Sequence, residues 1–170
     1  MQAFFAQRFT IILFSLWVIG SQGASGASDR VHSLSGDGSL ELESGQKVSL
    51  AGIRLAPEAM RILPALLSGK DIEIEFDPSL ERDGTTGLQP AFVYVKTQEL
   101  TFPFSHDLPP TEKQVMLNEI LLSMGAARVD TSVPFKRKAQ FVEIEMQAKA
   151  KGEGIWSYEL FDKAPTSENS

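Results

Sequence analysis

The chain contains no cysteine, which excludes disulfides, thiol redox chemistry and thiolate metal sites. Histidine is nearly as scarce: His32 and His106 are the only two, and neither has an Asp or Glu at a metal-ligand or catalytic-dyad spacing. Basic charge is also short, with 16 Lys and Arg against 22 Asp and Glu for a net charge of −6. No overall field therefore draws the chain to nucleic acid or acidic membranes, and such a function would need a local patch. The run Lys136-Arg137-Lys138 is the only basic cluster; it could touch phosphate, but a charged face near a helix start is the commoner origin of such a run. No phosphate-cradling glycine loop, HExxH or nucleophile elbow occurs.

The 170 residues, 42% hydrophobic and 22% charged, suffice for one domain with its own core. The first 27 residues have the make-up of a secretory signal. Arg8 lies in a short leading region, an apolar run follows from Phe9 to Ile19, and small residues close it at Gly23 to Ala27. The run is shorter than the ~20 residues of a spanning helix, so a cleaved signal is expected over a membrane anchor. The expected location is secreted or periplasmic, without stable membrane insertion after cleavage; a retained N-terminal anchor is the alternative. Residues 28–35 then read as a linker, 36–160 as the folded domain and 161–170 as a flexible tail.

Within that domain, Leu40/Leu42 and Val48/Leu50 alternate on either side of Ser44-Gly45, the pattern of a β-hairpin with these four residues turned inward. Its second arm leads to a Pro57-Glu58 corner. From there Met60, Ile62, Leu63, Leu66 and Leu67 predict a short helix, bent or interrupted by Pro64 and stopped by Gly69. Asp71 to Asp77 alternates as a half-buried strand with an acidic outer face. A polar loop, Pro78 to Gln89, precedes the apolar strand Ala91 to Val95, and a further strand is expected through Leu100, Phe102 and Phe104. Thr111 can cap a helix with Gln114 in capping-box position, running through Val115, Leu117, Ile120, Leu121 and Met124 to Gly125. Pro134-Phe135 opens a last helix with Ala139, Val142, Met146 and Ala150 on its inner face, ending at Gly152, and Trp156 docks behind it. Five short strands plus helices, without βαβ alternation, predict an α+β domain: a small antiparallel barrel with helices packed on it.

The stretch from Gly36 to Trp156 resembles the staphylococcal-nuclease-like, or thermonuclease, family. The matching residues are Gly36-Asp37, Gly45, Val48, Leu50, Gly52-Ile53 and Ala56-Pro57-Glu58, and the likeness continues through AFVYV, LNEILLSMGAARV and AKAKGEGIW. It implies a five-stranded OB-type barrel with three helices. It also implies hydrolysis of DNA and RNA phosphodiesters with a bound calcium ion, two aspartates as metal ligands, a glutamate to activate water and two arginines to clamp phosphate.

Carried over position by position, most of that chemistry is missing. The first metal-binding aspartate falls on Gly38, or on Asp37 if strand one holds an insertion. The first arginine falls on Ser49, whose hydroxyl cannot replace a bidentate guanidinium. The second aspartate meets Arg54-Leu55, and the second arginine falls on Leu88. Only the glutamate is kept, as Glu58, and a carboxylate there also suits the positive end of the following helix. Loss of one such donor costs about a hundred- to a thousandfold in rate, so family-type catalysis is not expected. The expectation is an exported, catalytically degenerate binding or structural module with a protein or peptide partner and no cofactor. The alternative is an exported calcium-dependent phosphodiesterase with Glu58 as base, Asp37 as calcium ligand, and Arg54 or Arg82 as relocated clamp.

Overall fold

The computed structural model describes residues 27–97 and 114–157. The expected signal segment up to Gly26, the strand through Leu100 to Phe104, the Thr111 cap, His106 and the tail 161–170 lie outside the described residues. In chain order the elements are β1 (Ala27–Leu34), β2 (Leu40–Leu42), β3 (Lys47–Leu50), β4 (Ile53–Leu55), α1 (Pro57–Leu67), β5 (Asp71–Phe76), β6 (Gln89–Lys96), β7 (Gln114–Met116), α2 (Leu117–Ser123), β8 (Ala127–Val129) and α3 (Lys138–Lys151).

Five strands close into a barrel in the order β3-β2-β1-β5-β6, and β6 returns to β3. The neighbours around the ring are antiparallel except the closing pair, β3 with β6, which is parallel with Val48 opposite Gln89 and Leu50 opposite Ala91. This is the α+β OB-type barrel with three helices that the sequence predicts. The hairpin residues Leu40, Leu42, Val48 and Leu50 are all buried, as their alternation requires. Ile72, Ile74, Val93 and Val95 fill the same interior, and Phe92 is buried on the other face of β6.

Residues 28–35 are not a linker. They form most of β1, which pairs with β2 on one side and β5 on the other, so the barrel cannot close without them. A second difference concerns Gln114–Met116. These residues pair with the far end of β6, Tyr94 opposite Met116, and the helix begins only at Leu117. Strand pairing satisfies their backbone groups where a capped helical turn was expected. The expectation for α1 changes as well: the helix runs through Pro64 without a break, with Ala59, Leu63 and Leu67 buried at four-residue spacing.

In α3 the buried residues are Phe141 and Ala148. Ala139, Met146 and Ala150 are exposed, contrary to the expected inner face. Phe141 sets the rotation because its ring has partners on both sides, Phe92 edge-on at 5.9 Å and Phe135 at 5.4 Å. Phe135 in turn lies against Gly52, where an added Cβ would come within 2.6 Å of the ring. Just ahead of α3, the basic cluster ties the helix to the barrel. Glu75 accepts hydrogen bonds from Tyr94, Arg137 and Lys136, and the buried Asp77 accepts one from the Lys136 backbone N–H at 2.6 Å. Part of the acidic outer face of β5 is thus neutralised by its own chain.

Asn118, fully buried at the start of α2, holds the closing seam. Its Oδ1 accepts from Val93 N–H at 3.0 Å, and its Nδ2 donates to the carbonyl of Ala51 at 3.0 Å. One amide thereby satisfies backbone groups on β6 and on the segment after β3 that no other part of the seam supplies.

Candidate active-site cleft

A cleft of about 570 Å³ opens at the mouth of the barrel between the loop before β2, strands β3 and β4, and the start of α1. Its walls include Gly38, Ser49, Leu55 and Leu88. The family's first metal aspartate falls on Gly38 or Asp37, the second on Arg54-Leu55 and the two arginines on Ser49 and Leu88, and all of these residues border the cleft. The fold therefore gathers all of them to one place, where Asp37 is the one carboxylate on the wall.

The metal positions are filled by hydrocarbon. Along β4 successive side chains point to opposite faces, which turns Arg54 outward and Leu55 into the cleft. Leu55 Cδ1 lies where a Cβ on Gly38 would have to be, and Met60 Sδ lies 3.0 Å from that same point. Gly38 adopts a φ of +84°, a conformation that an aspartate would enter only with strain. Calcium needs six to eight oxygens at 2.3–2.6 Å, so these positions do not fit it. Among the described residues no group of three or more His, Asp or Glu side chains converges as a metal site.

Asp37 is present on the cleft wall, but its Oδ1 already accepts from the Ser39 backbone N–H at 3.0 Å and the Ser39 hydroxyl at 2.7 Å. These two bonds, the backbone one foremost, hold its carboxyl below the usual aspartate range. The arrangement is a self-contained turn before β2.

The arginines are engaged elsewhere. Arg54 borders the cleft, yet its guanidinium donates to Asp130 at 3.0 Å and to Ser132 at 3.3 Å, with 67% of its side chain exposed. Asp130 is pulled down to about 2 by the Ser132 hydroxyl first and by Arg54 after it. Arg82 donates to Gln89 Oε1 at 2.7 Å and to the Gly87 carbonyl at 3.3 Å within its own loop. It does not border the cleft.

Glu58 lies in the first turn of α1 beside Pro57 at the N-terminal position, and it lines a different groove with Ile62, Met124 and Ile155. The candidate base, the candidate calcium ligand and the two candidate clamps therefore do not form one constellation. What the sequence reading missed is the role of Leu55 and Met60, two apolar residues with no motif of their own. The extra residue before Ala56 was the available signal, because it shifts β4 so that a leucine takes the inward position.

The family model described as staphylococcal nuclease homologue matches residues 47–158, more than half of the chain. No curated protein matches the chain.

Proposed function

Because the chain belongs to the staphylococcal nuclease homologue family, we propose that it is an exported member that has kept the barrel and lost the phosphodiesterase chemistry. It serves as a binding or structural module for a protein or peptide partner, without calcium. The observation that carries this reading is the seating of Leu55 and Met60 against Gly38, which puts hydrocarbon where the family holds its metal. Ser49 and Leu88 at the clamp positions support it, as does the removal of Glu58 to another groove. The apolar N-terminal run supports export. The net charge of −6 argues for a protein or peptide partner over nucleic acid.

Hydrolysis of single-stranded DNA by the purified protein, with and without calcium and beside Glu58→Ala, tests the loss of chemistry. The expected result is no calcium-dependent cleavage above the background of the variant. Calcium-dependent cleavage that Glu58→Ala abolishes would overturn the reading and make Arg54 and Arg82 the next targets.

A further inference from the structure

Strand β4 has one edge unpaired, and that edge faces the cleft at the barrel mouth. Its ladder with β8 is antiparallel, with Ile53 opposite Val129, Arg54 opposite Arg128 and Leu55 opposite Ala127. Two bonds at the ends fix the phase of the ladder. Asp130 N–H donates to the Gly52 carbonyl at 2.8 Å, and Ala56 N–H donates to the Ala126 carbonyl at 2.9 Å. Hydrogen-bonded and non-hydrogen-bonded positions alternate along such a pair, so the backbone groups of Arg54 point to β8. Those of Ile53 and Leu55 point the other way.

The two outer edges of this small sheet differ. On β8 the Val129 N–H donates to Glu145 Oε1 of α3 at 2.9 Å. On β4 the N–H and C=O groups of Ile53 and Leu55 have no partner among the described residues. An unpaired strand edge is a template for another strand, and groups two residues apart repeat every ~7 Å, the interval of a β-ladder.

Ile53, Arg54 and Leu55 all border the cleft of about 570 Å³. Side chains of a strand alternate between two faces, so three consecutive residues on one cleft is the relation of a strand lying edge-on to it. Leu50 and Leu88 add hydrocarbon to the same walls. The charged residues there are Asp37 and Arg54. Arg54 is committed to Asp130, whereas Asp37 uses Oδ1 for both of its bonds to Ser39 and has Oδ2 left over. The cleft thus combines backbone donors and acceptors at strand spacing, apolar walls and one uncommitted negative charge. An extended polypeptide with a basic side chain complements all three. Nucleic acid lacks the alternating N–H and C=O groups and brings phosphate towards a carboxylate.

Resting on the reading of this chain as a binding module, we propose that β4 receives an extended segment of a partner protein as an added strand. Its backbone pairs with Ile53 and Leu55, an apolar side chain packs against Leu50 and Leu88, and a lysine or arginine reaches Asp37. This is recognition by strand addition, in which main-chain bonds supply affinity and the alternate side chains supply specificity.

The test uses a pool of hexapeptides that alternate Val, Ile, Leu or Phe with Lys, beside a matching pool with Glu in place of Lys. Amide hydrogen exchange of the purified protein is the readout. The lysine pool should slow exchange at Ile53 and Leu55 by about tenfold or more and leave Arg54, already paired with β8, little changed. Asp37→Asn, which keeps an oxygen for the Ser39 turn, should weaken the effect by about two- to fivefold.

No slowing at Ile53 and Leu55, equal slowing by the glutamate pool, or equal slowing by oligothymidine would each overturn the proposal. So would slowing that appears without peptide as protein concentration rises, because a second copy would then hold the edge. Lysine peptides that bind and leave these two amides unprotected would overturn this inference while the binding role stands. Calcium-dependent DNA cleavage is a separate readout, and it would overturn the loss of chemistry alone.

Discussion

Leu55 rests on Gly38, its Cδ1 crowding the point where a Cβ on the glycine would stand, and Met60 Sδ lies 3.0 Å from that same point. The contact joins β4 and the head of α1 to the loop before β2, so this corner of the cleft is packed with hydrocarbon. A carboxylate on either residue would displace the other's neighbours, so a charged group cannot enter this corner without repacking it.

Gly38→Ala should destabilise the protein by about 1–3 kcal/mol, from the strain of a positive φ and from overpacking against Leu55. Leu55→Ala made in that background should restore the packing part, leaving a coupling of about 0.5–3 kcal/mol between the two sites. Denaturant midpoints of the four proteins in this cycle measure it. Strictly additive losses would mean that the two residues do not press on each other.

Asn118→Ala should cost about 3 kcal/mol, because the buried Val93 N–H and the Ala51 carbonyl both lose their partner where no water reaches them. Urea unfolding reads the loss. Hydrogen exchange should locate it, with faster exchange at Val93 than at Ile72, which pairs with Val95 of β6 and Asp29 of β1 away from the amide. A loss below about 1 kcal/mol would show that the closing seam does not depend on this amide.

How much of this was legible in the sequence follows from side-chain periodicity. The hairpin could be read because Leu40, Leu42, Val48 and Leu50 alternate with polar residues on a half-exposed sheet. In β1 only Val31 is fully buried, and Asp29, Arg30, His32 and Ser33 carry no alternation, so a strand held mainly by its ladder looked like a linker. Helix α3 was placed correctly but rotated, since Val142/Met146 and Phe141/Ala148 both obey helical spacing. Only tertiary partners for the Phe141 ring decide between the faces. The site positions were legible through the family resemblance. Which of Arg54 and Leu55 points inward was not, because that depends on the pairing of β4 with β8, three residues opposite three.

Acid should loosen the attachment of α3. The Glu75 carboxyl is held below its ordinary 4.5, first by the Tyr94 hydroxyl and then, against the opposing effect of burial, by Arg137 and Lys136. For Asp77 burial pushes upward, but the Lys136 N–H and Ser79 together hold it below 3.8. Lowered folded-state values mean that the folded protein binds fewer protons, so these groups stabilise above their ordinary values and lose that contribution as pH falls through the folded ones. Stability should therefore be flat near neutrality and fall below about pH 4.5. Glu75→Gln should be less stable at neutral pH and show a shallower acid decline, with Asp37, Asp77 and Asp130 among the groups supplying what remains. Thermal midpoints across that range check it, and a decline as steep as in the unaltered protein would remove Glu75 from the account.

Calcium should leave the thermal midpoint where magnesium at equal concentration leaves it. A family-type site with a Kd one-hundredth of the calcium present would add about 2.7 kcal/mol of stability, which for a domain of this size raises Tm by several degrees. The cleft offers Asp37 alone as a carboxylate, and one of its oxygens is already committed to Ser39. A single exposed carboxylate binds calcium no better than the rest of an acidic surface does, which is why the comparison with magnesium matters. A calcium-specific rise in Tm that Asp37→Asn removes would mean that Asp37 recruits oxygen ligands beyond those the cleft presents, and the hydrocarbon at Leu55 and Met60 would then have to move aside.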